Sequence, residues 1–156
     1  MASERLKKFL DENGVKYEVL RHGEAYTAQE IAAAMHVRGK NLVKVVILKT
    51  EKGYIMVALP ADRVVDIAAL RADIGYRFAA LATESEFKMI FPDCEAGAMP
   101  PFGNLYGVPV FVDRKLAEDR YIVFQAGTHY EAIRMSYQDF ERLVKPRYLE
   151  ASRKAA

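Results

Sequence analysis

The stretch Asn41-Leu42-Val43-Lys44-Val45-Val46-Ile47-Leu48-Lys49 constrains the fold more than any other part of the chain. It is rich in β-branched residues and has the length of one strand. Alternation puts Leu42, Val46 and Leu48 on one face and Val43, Val45 and Ile47 on the other. A strand apolar on both faces needs cover on both, so it belongs at the centre of a sheet packed from two sides. Lys44 interrupts this pattern on the face of Leu42 and Val46. Its ammonium must either snorkel to solvent or sit in a partly dry pocket. The second case would put a charge at the floor of a cleft, where perturbed groups tend to do chemistry. Lys49, on the other face, closes the strand ahead of Thr50-Glu51-Lys52-Gly53, and solvent exposure suffices to explain it.

Around this strand the remaining elements follow from local signals. Ser3 is placed to cap a first helix with Leu6, Phe9 and Leu10 as its apolar stripe, stopped by Asn13-Gly14. Tyr17 and Val19 alternate with polar residues through Lys16–Arg21, which predicts a short half-buried strand. After a loop at His22–Tyr26, Thr27 with Glu30 spells a capping box for a helix carrying Ile31 and Met35 inward, ended at Val37–Lys40. Gly53 turns the chain into a strand over Tyr54–Leu59, antiparallel to the central one because the connection is short. Asp66 and Gly75 bracket a helix with Ile67, Leu70 and Ile74 on one face. Arg77–Leu81 reads as a strand of uncertain register. Thr83 with Glu86 is a second capping box, opening a helix with Phe87, Ile90 and Phe91 that Pro92 stops. Residues 92–107 read as a Gly- and Pro-rich loop. Val108–Val112 and Tyr121–Gln125 read as strands, Ala126–His129 as a turn, and Ala132–Met135 as extended. Ser136 caps a last helix with Phe140, Leu143 and Val144, ended by Pro146. Strands joined mostly by short loops, with helices inserted, predict an α+β domain around a mostly antiparallel sheet.

The chain of 156 residues is long enough for one domain with a sizeable core. We expect that domain over residues 1–150 and a basic, frayed tail over 151–156. Its 28% charged residues and net charge of +2 are those of an ordinary soluble protein and neither demand nor exclude nucleic acid. Cys94 is the only cysteine, which rules out an intramolecular disulfide and a Cys-rich zinc site. No apolar run is long enough to span a bilayer and no signal region opens the chain, so a cytoplasmic protein is expected.

Three pieces are candidates for a shared site: Lys44, the Gly97–Gly103 loop and the turn at Gly127-Thr128-His129. Glycines allow close backbone approach and free amide donors, which bind anions and developing oxyanions. The bland alternative for each is a snorkelling lysine, a connecting loop and a simple turn. His22, His36 and His129 lack metal-ligand spacing. His36 falls at a predicted helix end, where a dipole contact accounts for it. His22 and His129, in loops, are candidate pocket residues, although an exposed histidine is the commoner case. Cys94 reads as a packing residue, since no base is signalled beside it. Tyr26, Tyr106 and Tyr130 are able to stack on a base, although partly buried core is the commoner role. Arg38 and Lys40, just ahead of the central strand, are the best candidates for phosphate contacts. There is no Gly-x-Ser-x-Gly elbow, P-loop or dinucleotide fingerprint.

Four stretches in order carry a resemblance: Ala25-Tyr26-Thr27-Ala28-Gln29-Glu30, Val43–Lys49, Gly-x-x-x-Pro at Gly97–Pro101 followed by Phe102-Gly103, and Ala126-Gly127 before the last strand. Together they resemble the YbaK/prolyl-tRNA synthetase-associated domain family, which edits mischarged tRNA, from the first helix to about Leu143. The resemblance implies a mixed sheet flanked by helices. It puts Lys44 at the position most closely tied to activity. Gly97, Ala98, Met99 and Pro101 would border the substrate pocket, with Tyr26, Thr27, Gly127, Thr128 and His129 as further candidates. Ala98 stands where many relatives have a second glycine, which leaves the accepted amino acid open. The implied reaction is hydrolysis of the ester between an amino acid and the terminal ribose of tRNA, without covalent nucleophile, metal or organic cofactor. The implied substrate is a mischarged tRNA, such as one for proline carrying alanine or cysteine; the sequence does not choose. Implied partners are the acceptor end of tRNA, bound weakly and with salt sensitivity, and an aminoacyl-tRNA synthetase, with no DNA and no membrane. A catalytically inactive tRNA- or synthetase-binding module and a small-molecule esterase stay open as alternatives.

Overall fold

The structure, a computed structural model, describes residues 2–21 and 41–154. The capping box at Thr27 and its helix therefore lie outside the described residues. Four helices occur among those described: α1 (Ala2–Glu12), α2 (Ile67–Ile74), α3 (Glu84–Ile90) and α4 (Tyr137–Val144). The strands are β1 (Tyr17–Arg21), β2 (Val43–Thr50), β3 (Gly53–Pro60), β4 (Arg63–Val65), β5 (Ala79–Leu81), β6 (Val110–Asp113), β7 (Tyr121–Thr128), β8 (Glu131–Ser136), β9 (Arg147–Leu149) and β10 (Ser152–Lys154).

The apolar central strand is β2, and it is internal to a five-stranded sheet of order β5-β2-β3-β6-β9. Its pairs with β3 and β5 are antiparallel, whereas β3–β6 and β6–β9 are parallel. A three-stranded antiparallel sheet of order β1-β8-β7 stands beside it, joined through a parallel bridge between Leu42 and Val123. The result is the expected α+β architecture with a mixed, mostly antiparallel sheet.

Both faces of β2 are covered, as its sequence requires. Val43 and Ile47 enter a core shared with Met56, Val112, Phe124 and Ile133 of the two sheets, Leu6 and Leu10 of α1, and Phe140 of α4. Leu48 enters a second core with Leu59, Phe111, Leu149 and Leu70 of α2. Fully burying one such side chain contributes about 1.5–3 kcal/mol, so this double cover is what holds the strand in place.

The helix ends follow the local chemistry. Asp66 accepts from the Ala69 amide at 3.1 Å, and Gly75 closes α2 in the left-handed region at φ 89°. Thr83 and Glu86 form the reciprocal capping box, and Ser136 caps α4. Helix α1 begins at Ala2, so Ser3 lies in its first turn rather than at its cap.

Two further expectations need correction. The turn at Ala126–His129 is a continuation of β7: a bulge between Gln125 and Thr128, with Gly127 at φ 96°, carries the strand on, and the reversal falls at His129-Tyr130. The basic tail is not frayed over its described part. Residues 152–154 form β10, antiparallel to β4, a strand that its three-residue length hid from pattern reading. Asp66 N–H donates to Ala151 O at 2.8 Å, and the Arg63 guanidinium holds Ser152 through Oγ at 2.7 Å and O at 3.0 Å.

Gly103 is needed for close approach rather than for its φ. A Cβ there would meet Val108 O at 2.5 Å and Val110 Cγ2 at 2.8 Å. Gly103→Ala is expected to cost about 1–3 kcal/mol, read as a lower urea midpoint at unchanged slope.

Glu86 gives a pH test. The Tyr54 hydroxyl, then the Thr83 amide, hold its carboxyl down at about 2, from 4.5, and Lys49 pairs with it at 3.4 Å. A depressed carboxylate contributes stability that is complete above its unfolded value and lost as pH falls. Wild type should shed this contribution between pH 4.5 and about 2, and Glu86→Gln should flatten that part of the acid-unfolding curve.

Candidate active site

Residues of the Gly-x-x-x-Pro loop do not stand out in solvent as a loop usually does. Gly97 is exposed, but Ala98, Met99, Pro101 and Phe102 are buried, and Met99 and Phe102 belong to the core between the two sheets. The loop dives inward because its apolar residues are worth more in that core than in water. What it leaves at the surface is the backbone at Gly97, held at φ 82°, a conformation L residues adopt at a cost.

The loop and the β7 bulge are stitched together. Glu95 N–H donates to Gly127 O at 2.8 Å, and Gly127 N–H donates to Ala98 O at 2.8 Å. Ala98 N–H is taken by Glu95 O at 3.0 Å. These bonds remove Gly127 and Ala98 from the set of free amide donors. The Gly97 N–H carries no hydrogen bond among the described residues.

His129 completes this junction and is buried at 8% exposure, which sets aside the exposed default for this loop histidine. Its backbone N–H donates to Glu95 Oε2 at 3.2 Å, and its Nε2 lies 2.9 Å from Ala96 O. A carbonyl only accepts, so the proton of that bond sits on Nε2. The ring edge is beside Gly97: a Cβ at Gly97 would lie 3.8 Å from His129 Cε1. Thr128 Oγ1 accepts from Tyr130 N–H at 3.3 Å across the turn.

Lys44 stands apart from this junction. It leaves β2 on the side of Val46 and Leu48, opposite Val43 and Ile47, whose core contains Met99 and Phe102. Its ammonium donates to the carbonyl oxygen of Arg63 on β4. The lysine is half-buried, and that desolvation pushes its pKa down, while the nearby Asp62 carboxylate pulls it back up. Neither reading of Lys44 holds alone: it does not snorkel freely, and its charge is fixed by a carbonyl rather than left at the floor of an open cleft. Among the described residues no hydrogen bond joins it to the Gly97 loop. Two of the three expected pieces therefore come together, and the third faces β4. Lys49 is exposed, as expected, and pairs with Glu86.

Cys94 is a packing residue. Burial pushes its thiol up to about 11, so it holds no thiolate at neutral pH. Tyr106 stacks edge-on against Phe91 and hydrogen-bonds Asp93, which commits its ring to the core, while Tyr130 is exposed. No three His, Cys, Asp or Glu side chains group in a metal-binding arrangement among the described residues. Tyr26, Thr27, Arg38, Lys40, His22 and His36 lie outside those residues.

The backbone at Gly97 sets how its substitution is to be read. Space exists for a methyl group, but the left-handed φ does not suit it. Gly97→Ala should lower stability by about 1–2 kcal/mol and Gly97→Val by more. Thermal melts of both variants check this, and their activity is to be compared per folded molecule.

Similarities to known proteins agree with this architecture. The chain is 26% identical over 142 residues to the prolyl-tRNA editing protein ProX of Acetoanaerobium sticklandii, covering 87% of this chain and 86% of that protein. It superposes on the crystal structure of a candidate trans-editing enzyme for prolyl tRNA synthetase with a TM-score of 0.85 at 20% identity, over 99% of this chain and 98% of that one. Hypothetical protein APE2540 gives 0.86 at 19% identity, over 96% and 99%. At these identities the structures establish the fold. Residues 22–143 match the aminoacyl-tRNA editing domain. With that match spanning most of its length, the chain belongs to the aminoacyl-tRNA editing domain family.

Proposed function

We propose that this domain hydrolyses the ester joining an amino acid to the terminal ribose of a mischarged tRNA. The observation that carries the reading is the editing-domain match across residues 22–143, which includes the lysine-bearing central strand and the Gly97–Pro101 loop. The ProX relative is named a prolyl-tRNA editing protein, so a tRNA for proline is the substrate to try first; alanine and cysteine are the small amino acids to charge it with.

An aminoacyl ester is activated, so the enzyme has only to position water and stabilise the oxyanion. The inert thiol of Cys94 supports a mechanism without a cysteine nucleophile. Lys44 is assigned an electrostatic role toward the ester carbonyl or the adjoining terminal phosphate. An ammonium has three donors, and the Arg63 carbonyl takes one, which fixes the direction of the other two. The Gly97 N–H is the candidate oxyanion donor, and a vicinal ribose hydroxyl is suited to orient the water. Editing meets a real energetic need: a synthetase pocket separates side chains differing by one methylene by only about 1–3 kcal/mol. Arg38 and Lys40 are the candidates for tRNA phosphates, and an aminoacyl-tRNA synthetase is the candidate protein partner.

The test is release of amino acid from a panel of mischarged tRNAs. Release from none, with measurable tRNA binding, would make this a binding module. Ester cleavage indifferent to the RNA portion would make it a small-molecule esterase. Within an active panel, Lys44→Ala should lose on the order of 10²–10³ in rate. Lys44→Arg should not restore it, because a planar guanidinium does not replace a compact ammonium. Lys49→Ala should stay near wild type, since exposed ion pairs contribute about 0–1 kcal/mol. Near-normal deacylation by Lys44→Ala at matched melting temperature would remove the site from this strand.

A further inference from the structure

Polar side chains set inside the sheets need support, and Lys44 and Asp113 have it. Lys44 is held by the Arg63 carbonyl. Asp113 is 2% exposed at the end of β6, on the α2 face with Phe111, and its Oδ1 accepts the Lys115 N–H at 2.8 Å across a turn. Gln125 of β7 has no such support. Every residue of β7 from Ile122 to Gly127 is buried except this one, which is half-buried. Its Oε1 is enclosed without a hydrogen-bond partner, and its Nε2 bonds to none of the described residues. An amide left idle in a buried strand is costly, and native structures keep few of them. Since Oε1 is the enclosed end, Nε2 is the polar end that the side chain offers outward.

Strand register puts this amide beside Lys44. The two sheets are joined at the parallel bridge between Leu42 and Val123, where Val123 N–H donates to Asn41 O at 3.0 Å. Past that bridge β2 and β7 part into separate sheets. Val43 and Phe124, one residue past it, both enter the core between the sheets. Lys44 and Gln125, two residues past it, therefore both point to the opposite side. Bridged strands lie about 5 Å apart. The two side chains thus start from neighbouring points at the mouth of the split, and both are long enough to flank one small group.

Gln125 is also near the other part of the site. Gly127, two residues or about 7 Å further along β7, carries the hydrogen bonds to Glu95 and Ala98 that hold the Gly97 loop. Lys44 and that junction share no hydrogen bond among the described residues. Gln125 lies between them, one strand from Lys44 and two residues from the junction.

A carboxamide NH2 has two donors and no charge. It binds an oxygen acceptor without neutralising a neighbouring ammonium. The acyl carbonyl of an aminoacyl ester is such an acceptor, and it becomes a stronger one as water adds to it. Resting on the editing reading, we propose that Gln125 is a substrate-binding residue of this domain, its Nε2 donating to the acyl carbonyl of the ester held in the split between β2 and β7, with Lys44 on the other flank. The substrate itself then joins Lys44 to the Gly97 junction.

Two variants of the whole chain test this. Gln125→Met keeps the length of the side chain and removes both donors; Gln125→Glu keeps its shape and sets an anion beside Lys44. Single-turnover release is measured on the mischarged tRNA that wild type cleaves fastest, starting with alanyl-tRNA for proline. Gln125→Met should slow it on the order of 10²-fold, at a melting temperature close to wild type. A second readout needs no turnover: titration of the Lys44 Cε resonance by NMR. Gln125→Glu should raise the lysine pKa, because an opposite charge within a few ångströms favours the ammonium, whereas Gln125→Met should leave it in place. Release by Gln125→Met near the wild-type rate, or a Lys44 titration unmoved by Gln125→Glu, would overturn the proposal. Active wild type with either of those results would sink this inference alone. Wild type that releases nothing from any mischarged tRNA, with Lys44 shifted in Gln125→Glu, would sink the editing reading and leave the pairing of the two side chains standing.

Discussion

One requirement runs through the whole molecule: a strand apolar on both faces has to be covered on both. The second sheet, α1 and α4 cover the Val43–Ile47 side of β2, and α2 with the β4–β10 ribbon covers the Val46–Leu48 side. The two covers do different work. The first is thick and almost wholly apolar, and it draws the Gly97–Phe102 loop into itself. The second is thinner and meets polar backbone, and Lys44 and Asp113 both stand there. A charged group is tolerated in a strand where cover is incomplete and a carbonyl or amide is within reach.

The fold was largely legible because its signals are local. Capping chemistry at Asp66, Thr83 and Ser136 needs only three or four consecutive residues, and each cap appears where its residues predict it. The antiparallel β2–β3 hairpin follows from a short connection at Gly53. What failed was non-local or below the resolution of pattern. Strands β4 and β10 are three residues each and lie almost ninety positions apart, so neither signals the other. Gly127 looked like a turn residue and is one in conformation, yet the neighbouring ladder absorbs it as a bulge.

The site was legible in part, for the same reason. The Gly97 loop and the Gly127 stretch were marked by their glycines, and hydrogen bonds join them, while Lys44 is held on Arg63 instead. The burial of His129 was not visible, because it depends on Ala96 and Glu95, more than thirty residues away. Asp113 escaped notice because it is one acidic residue at a strand end, where a turn contact explains it. Its 2% exposure is a three-dimensional fact that no neighbouring residue signals.

The environment of Lys44 shows how a fold can keep a useful charge in a costly place. Burial alone would favour the neutral amine, which attracts no anion. The Asp62 carboxylate opposes that shift, and the Arg63 carbonyl gives the ammonium a partner that does not cancel its charge. A carboxylate in direct contact would stabilise the charge better and spend it at the same time. Asp62 favours the charged form through space, so the field of the ammonium stays available to a ligand in surroundings drier than bulk water. Arg63 keeps its position because β10 holds β4 by its guanidinium and its strand pairing. The last strand of the chain thus acts on the central one through a single carbonyl, and the electrostatics of Lys44 depend on a segment that shares no sequence signal with it.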